Sequence, residues 1–131
     1  MKKISLLTKV TFHAVNVILI LMYVYPGSII GWLAYDDFHK QPQITSDLSF
    51  VSINHVYAFL LLSFLGLSSY YMKNLKNLFT YLFFISIFLE LCHIIIPQRS
   101  FEYKDLFGNI FGVLIIFLLF NFYQFLKKNN D

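Results

Sequence analysis

Long apolar runs, separated by short polar tufts, dominate the chain. A helix rises about 1.5 Å per residue and needs roughly 20 apolar residues to cross the hydrocarbon of a bilayer. Residues 10–25, 51–72, 78–96 and 106–126 predict four such helices. The first is short and carries His13 and Asn16 at i and i+3, read as structural or interfacial. Pro26 and Gly27 end it, and Trp32 and Tyr35 beyond them suit a membrane interface. Lys73-Asn74-Leu75-Lys76-Asn77 leaves room only for a tight antiparallel hairpin between the second and third spans. Residues 97–105 form the turn from the third span to the fourth. Segment 36–49 has no assignable pattern, and whether 26–35 forms a short helix is open. No linker divides the chain, so residues 1–131 read as one domain. The expected fold is all-α: a four-helix transmembrane bundle.

Composition agrees. Hydrophobic residues make up 58% of the chain and charged ones 13%, against about 25% charged in soluble domains. Met-Lys-Lys before an apolar stretch mimics a secretory signal, yet no small-x-small cleavage site follows, so an uncleaved first span is expected. The net charge of +3 does not indicate nucleic acid, because the basic residues lie in tufts between spans instead of forming a face. Their placement speaks to topology. With the N-terminus inside, Lys2, Lys3, Lys9, Lys73, Lys76, Lys127 and Lys128 are cytoplasmic, leaving Lys40, Arg99 and Lys104 outside. Both termini are therefore expected in the cytoplasm, with the chain in the inner (cytoplasmic) membrane. Cys92 is the single cysteine, so no internal disulfide is possible.

Certain polar residues interrupt the apolar runs. Glu90 is the sharpest case, since an ionisable group within a span costs roughly 2.5 kcal/mol or more at its centre and normally faces a partner or a cavity. Counting back from Pro97, it falls about 10 Å below the end of the third helix. Ser86, Glu90, His93 and Pro97 are spaced 4, 3, 4 and predict one inward stripe. His55, Phe59, Leu62 and Gly66 form a matching stripe on the second helix. Asp105 opens the fourth helix, with Asn109 one turn on, and Gly108 and Gly112 permit close helix approach. His55, Glu90, His93, Arg99, Asp105 and Asn109 are thus expected to converge near the non-cytoplasmic end. Plainer roles stand beside this: Glu90 paired with Arg99 or Asn109, Asp105 as an N-cap, His93 as a bonded packing residue, Asn109 as interhelical glue.

The stretch Glu90-Leu-Cys-His93-Ile-Ile-Ile-Pro97-Gln-Arg99-Ser-Phe-Glu-Tyr-Lys-Asp105-Leu-Phe-Gly-Asn109-Ile-Phe-Gly112 resembles the signature of the VanZ-like membrane proteins. Glu90, Pro97, Arg99, Asp105, Asn109 and Gly112 match that pattern by residue and spacing, and His55 matches the histidine opening the family's second span. His93 stands where the family usually has Gln, Val51 and Ser52 where it has an Asp-Lys pair, and Phe59 where it has Tyr. A second glycine after Gly112 is missing. The resemblance implies a small multi-pass protein of the bacterial cell envelope, in a family named for a member linked to teicoplanin resistance. It implies no settled activity.

Three functions follow as expectations. The first is binding, without metal or cofactor: Arg99 clamps the anionic head group of an amphiphile, such as a lipid, a lipid-linked envelope precursor or a glycopeptide-type drug. The second is a structural role beside a membrane-protein partner or a second copy. The third is metal-dependent or acid/base catalysis by Glu90 and His93, whose spacing matches that of helical-bundle metal sites; no activated Ser or Cys nucleophile accompanies it.

Overall fold

The computed structural model describes residues 2–71 and 73–130, with side chains from 6 to 71 and 73 to 129. Met72, the expected end of the second span, lies outside the described residues, as do Asp131 and the side chains of Lys2 and Lys3. The elements are α1 (Lys2–Val24), α2 (Ile29–Tyr35), α3 (Ile53–Tyr70), α4 (Leu75–Cys92) and α5 (Tyr103–Asn130), with no strand among the described residues. Stretches Leu6–Val24, Ile53–Tyr70, Leu75–Cys92 and Tyr103–Asn129 are long and apolar enough to cross a membrane.

The long helices run up and down. Near the chain termini, His13 of α1 bonds the Tyr70 hydroxyl at the end of α3, and Asn16 donates to the Tyr81 hydroxyl early in α4. At the opposite end, Tyr23 of α1 meets His55 at the start of α3 and Asn109 near the start of α5. Contacts of α3 are most extensive with α5, then with α1; α4 closes the ring against α5 and α1. The core is Phe12 and Leu19 from α1, Phe59 and Leu62 from α3, Leu82 and Leu89 from α4, and Val113 from α5. Large apolar side chains such as Leu7, Val17, Leu61, Phe84, Phe88, Leu118 and Phe122 face outward, the pattern expected where lipid replaces water.

Gly108 and Gly112 account for the closeness of α3 and α5. A Cβ on Gly112 would lie 2.6 Å from the Val56 carbonyl oxygen, and one on Gly108 2.5 Å from that of Ser52. The expected small-residue contact is thus real and is made with α3.

Two helix boundaries differ from expectation. Helix α4 ends at Cys92, not near residue 96. From His93 on, the amides of His93, Ile94 and Ile95 bond carbonyls three residues back, a tightened turn. Ile96 precedes Pro97, whose ring disfavours helical backbone before it. Pro97 is therefore off the stripe and exposed, and Glu90 sits in the last turn of α4, not about 10 Å below its end. Helix α5 begins at Tyr103, so Asp105 is in its first turn and is not its cap; the Glu102 carbonyl accepts from Asp105 and Leu106.

The chain between α1 and α3 is ordered. Gly27 adopts φ +94, turning the chain after α1. The Ser28 hydroxyl caps α2 by accepting from the Gly31 amide at 2.9 Å, and Asp36 closes α2 in the left-handed region. Segment 37–52 then folds over the end of the bundle. Asn54 fastens it, accepting from the Ile44 amide and donating to the Pro42 carbonyl, while Asp47 accepts from the Ile53 amide and caps α3.

Candidate functional site

The turn after α4 sets the site. The Arg99 amide bonds the Ile96 carbonyl at 3.3 Å, with Pro97 second in the turn and Gln98 third at φ 62. That is the pattern of a type II turn. It directs Arg99 onto the end of α1, where Nη2 donates to Met22 O at 2.8 Å and Nε to Tyr25 O at 3.3 Å. A guanidinium there satisfies late helical carbonyls and suits the negative end of the helix. Burial lowers its pKa from the ordinary value, opposed by the fields of Tyr23, Glu90 and Asp105. The Glu90–Arg99 ion pair that the sequence offered does not form among the described residues.

Glu90 has instead a backbone partner and a histidine. It is completely buried. Oε1 accepts from the Glu102 amide at 3.1 Å, tying the last turn of α4 to the entrance of α5. Oε2 lies 3.3 Å from His93 Nδ1 but has no hydrogen-bond partner. His93 Nε2 meets the Tyr23 carbonyl at 3.1 Å. A carbonyl only accepts, so Nε2 carries hydrogen, and in the neutral ring Nδ1 turns its lone pair toward Glu90.

Asn109, also fully buried, joins all four long helices. Its Nδ2 donates to Ser86 O of α4 at 3.0 Å; its Oδ1 accepts from the Tyr23 hydroxyl of α1 at 2.6 Å and lies 3.0 Å from His55 Nδ1 of α3. Ser86 O fixes the amide's orientation, so Oδ1 only accepts and His55 Nδ1 must donate. The free side of His55, Nε2, then faces Asp105 Oδ2 at 3.4 Å. Donor atoms of His55, Glu90 and Asp105 all lie within 4.8 Å of one another.

Beside this cluster lie two cavities. One, of about 380 Å³, is walled largely by apolar groups including Leu19, Met22, Ile30, Ala58 and Leu61. The other, of about 320 Å³, is walled by polar groups including Asp47, Gln98, Glu102 and Asp105. Ser28, Gln41, Asn54, His93 and Arg99 border both. Of the six residues singled out from the sequence, His55, Glu90, Asp105 and Asn109 form one connected cluster, His93 abuts it through Glu90, and Arg99 stands at the boundary of the cavities.

Tyr23 was missed. Its hydroxyl and carbonyl hold His55, Asn109 and His93 together, and its ring stacks on His93 at 5.5 Å. Phe12, Asn16, Leu19 and Tyr23 are spaced 4, 3, 4 and are all buried, so the signal existed in the same form that revealed Glu90. His13 and Asn16, read from the sequence as structural or interfacial, each bond a tyrosine far from the cluster. The chain matches no protein-family model, no curated protein and no solved structure.

Proposed function

We propose that this is a multi-pass protein of the bacterial cytoplasmic membrane, termini in the cytoplasm, which binds the head group of an amphiphile at the end of the bundle that faces away from the cytoplasm. The observation that carries this reading is the pair of adjoining cavities, one apolar and one polar, with Arg99 at their shared border. An acyl or prenyl tail suits the first and a hydrogen-bonding head the second. The planar guanidinium, held by the Met22 and Tyr25 carbonyls at the end of α1, is preset to receive a phosphate or carboxylate. Orientation rests on the Lys and Arg distribution, and the cell-envelope setting on the VanZ-like resemblance. Lipids, lipid-linked precursors and lipid-tailed glycopeptides such as teicoplanin share the required chemistry.

Native mass spectrometry of the detergent-solubilised chain tests it, with phosphatidylglycerol, a polyprenyl phosphate and teicoplanin as separate probes. At least one is expected to bind one to one, and Arg99→Lys to weaken it by about tenfold while the fold persists. Equal retention in parent and variant would remove the clamp. A structural reading has one observation in its favour, the bonding of Asn109 to three other helices; it predicts that no probe binds and that Asn109 variants lose stability alone.

A further inference from the structure

We propose that His55, Glu90 and Asp105 form a divalent-cation site, of the kind filled by zinc or manganese. The argument begins with the unused ligand atoms. His55 has its Nδ1–H committed to Asn109 Oδ1 and the Tyr23 oxygen, which leaves the Nε2 lone pair facing Asp105 Oδ2 at 3.4 Å. A neutral imidazole lone pair beside a carboxylate oxygen repels it, unless something positive lies between or beside them. Metal-ligating histidines characteristically donate their other N–H to an oxygen acceptor, which fixes the tautomer and the ring plane; Asn109 does that for His55.

Glu90 supplies the second, independent observation. Its side chain is completely buried and Oε2 is unpartnered. A neutral His93 ring does not relieve it, because the Tyr23 carbonyl then takes the single ring proton on the far nitrogen. Two carboxylates and an imidazole therefore present donor atoms within 4.8 Å of one another. Arg99, the permanent cation nearest to Glu90 in sequence, is bonded to the Met22 and Tyr25 carbonyls at the end of α1. Donors sharing a zinc ion at about 2.0–2.2 Å each lie roughly 3.3 Å apart at a tetrahedral angle, and His55 and Asp105 are already at 3.4 Å. One nitrogen and two anionic oxygens suit zinc or manganese better than a soft copper site or an all-oxygen calcium cage. A divalent ion would balance the two carboxylate charges.

This ligand set differs from the Glu90 and His93 pair that sequence spacing suggested. His93 acts behind Glu90 instead, and the ligands come from α3, α4 and α5. The proposal does not depend on amphiphile binding. Only its extension does: an ion here would stand beside the polar cavity, which Asp105 borders, and a phosphate oxygen of the head group would complete its coordination.

The test uses tag-free full-length protein in detergent, treated with EDTA and then dialysed. Cobalt(II) serves as the optical probe, and Zn²⁺ and Mn²⁺ are titrated calorimetrically. One equivalent per chain is expected, with Zn²⁺ displacing the cobalt d–d absorption. Glu90→Gln, Asp105→Asn and His55→Ala should each weaken binding at least tenfold. His13→Ala and His39→Ala, which alter histidines outside the cluster, should not. A folding readout that needs no variant accompanies these: Zn²⁺ should raise the melting temperature of the parent chain. If the parent shows neither saturable binding nor a thermal shift, or if His39→Ala alone removes it, the proposal is wrong and protons hold the three groups together. Retained metal binding without any lipid adduct would discard the head-group reading while leaving the ion site standing.

Discussion

Asn109→Leu tests the junction on which the site is built. Leucine keeps the branching of the side chain but is bulkier and has no polar atoms, so three contacts vanish at a fully buried position, Tyr23 at 2.6 Å, His55 at 3.0 Å and Ser86 at 3.0 Å, and methyl groups are pressed into their place. Interhelical hydrogen bonds in membrane proteins average about 0.6 kcal/mol and reach about 1.7, so three contribute roughly 2 kcal/mol. After the change, His55 Nδ1 still has the Tyr23 oxygen at 2.8 Å, but the Tyr23 proton loses its acceptor in a buried setting. A stranded donor costs about 1–3 kcal/mol. The expected destabilisation is therefore about 3–5 kcal/mol, read by reversible unfolding in mixed micelles or by steric trapping in bicelles. Tyr23→Phe alone should cost about 1 kcal/mol. Introduced into Asn109→Leu it should cost nothing or restore stability, because it removes the stranded hydroxyl. If Asn109→Leu stays within about 0.5 kcal/mol of the parent, or the two single effects simply add, the four-helix junction does not exist as described.

Other expectations concern the frame around that junction. Gly112→Ala should destabilise the bundle by about 1–3 kcal/mol in the same assay, since its Cβ would press on the α3 backbone at Val56 and Leu60. Ser28→Ala removes the cap of α2 and should speed amide exchange over residues 29–35 roughly fivefold, about 1 kcal/mol, without moving global stability. Tyr81→Phe, which deletes the Asn16 partner at the opposite end, should cost about 1 kcal/mol or less and leave cobalt or head-group binding intact; lost binding would mean that the two ends are coupled. In a Cys92→Ala background, a membrane-impermeant thiol reagent applied to intact cells should label Lys40→Cys and spare Lys128→Cys, and the reverse would invert the topology.

The long helices were legible because a bilayer imposes one rule: apolar stretches of sufficient length, with every backbone group bonded within the helix. Glu90, Asn109 and the glycines were legible for the same reason, as residues with no place in an apolar run unless they face a neighbour. Hydropathy failed where backbone geometry decides. Ile94, Ile95 and Ile96 extend the apolar run past Cys92, yet the chain there has already tightened toward the proline turn. Partner choice was equally hidden. Arg99 and Asn109 were both offered as partners for Glu90, but the Ile96–Arg99 turn delivers Arg99 to carbonyls at the end of α1, and Glu90 receives an amide from Glu102. The cover formed by segment 37–52 could not be read at all, because it depends on Asn54 and Asp47 bonding backbone several residues away. Tyr23 was readable in principle; abundant aromatics masked its place in a buried stripe.

The position of Asn109 near the start of α5 bears on how the protein is made. Synthesis delivers α1, α3 and α4 first, and domains generally fold from the N-terminal side as the chain emerges. During that interval the Tyr23 hydroxyl, the outer nitrogen of His55 and the buried carboxylate of Glu90 have neither Asn109, Asp105 nor the Glu102 amide to meet. These helices must therefore tolerate unmatched polar groups in or near lipid until the last one is inserted. A nascent chain truncated before Tyr103 would have three of the four spans but no assembled cluster, which makes the final helix the event that commits the others to their places.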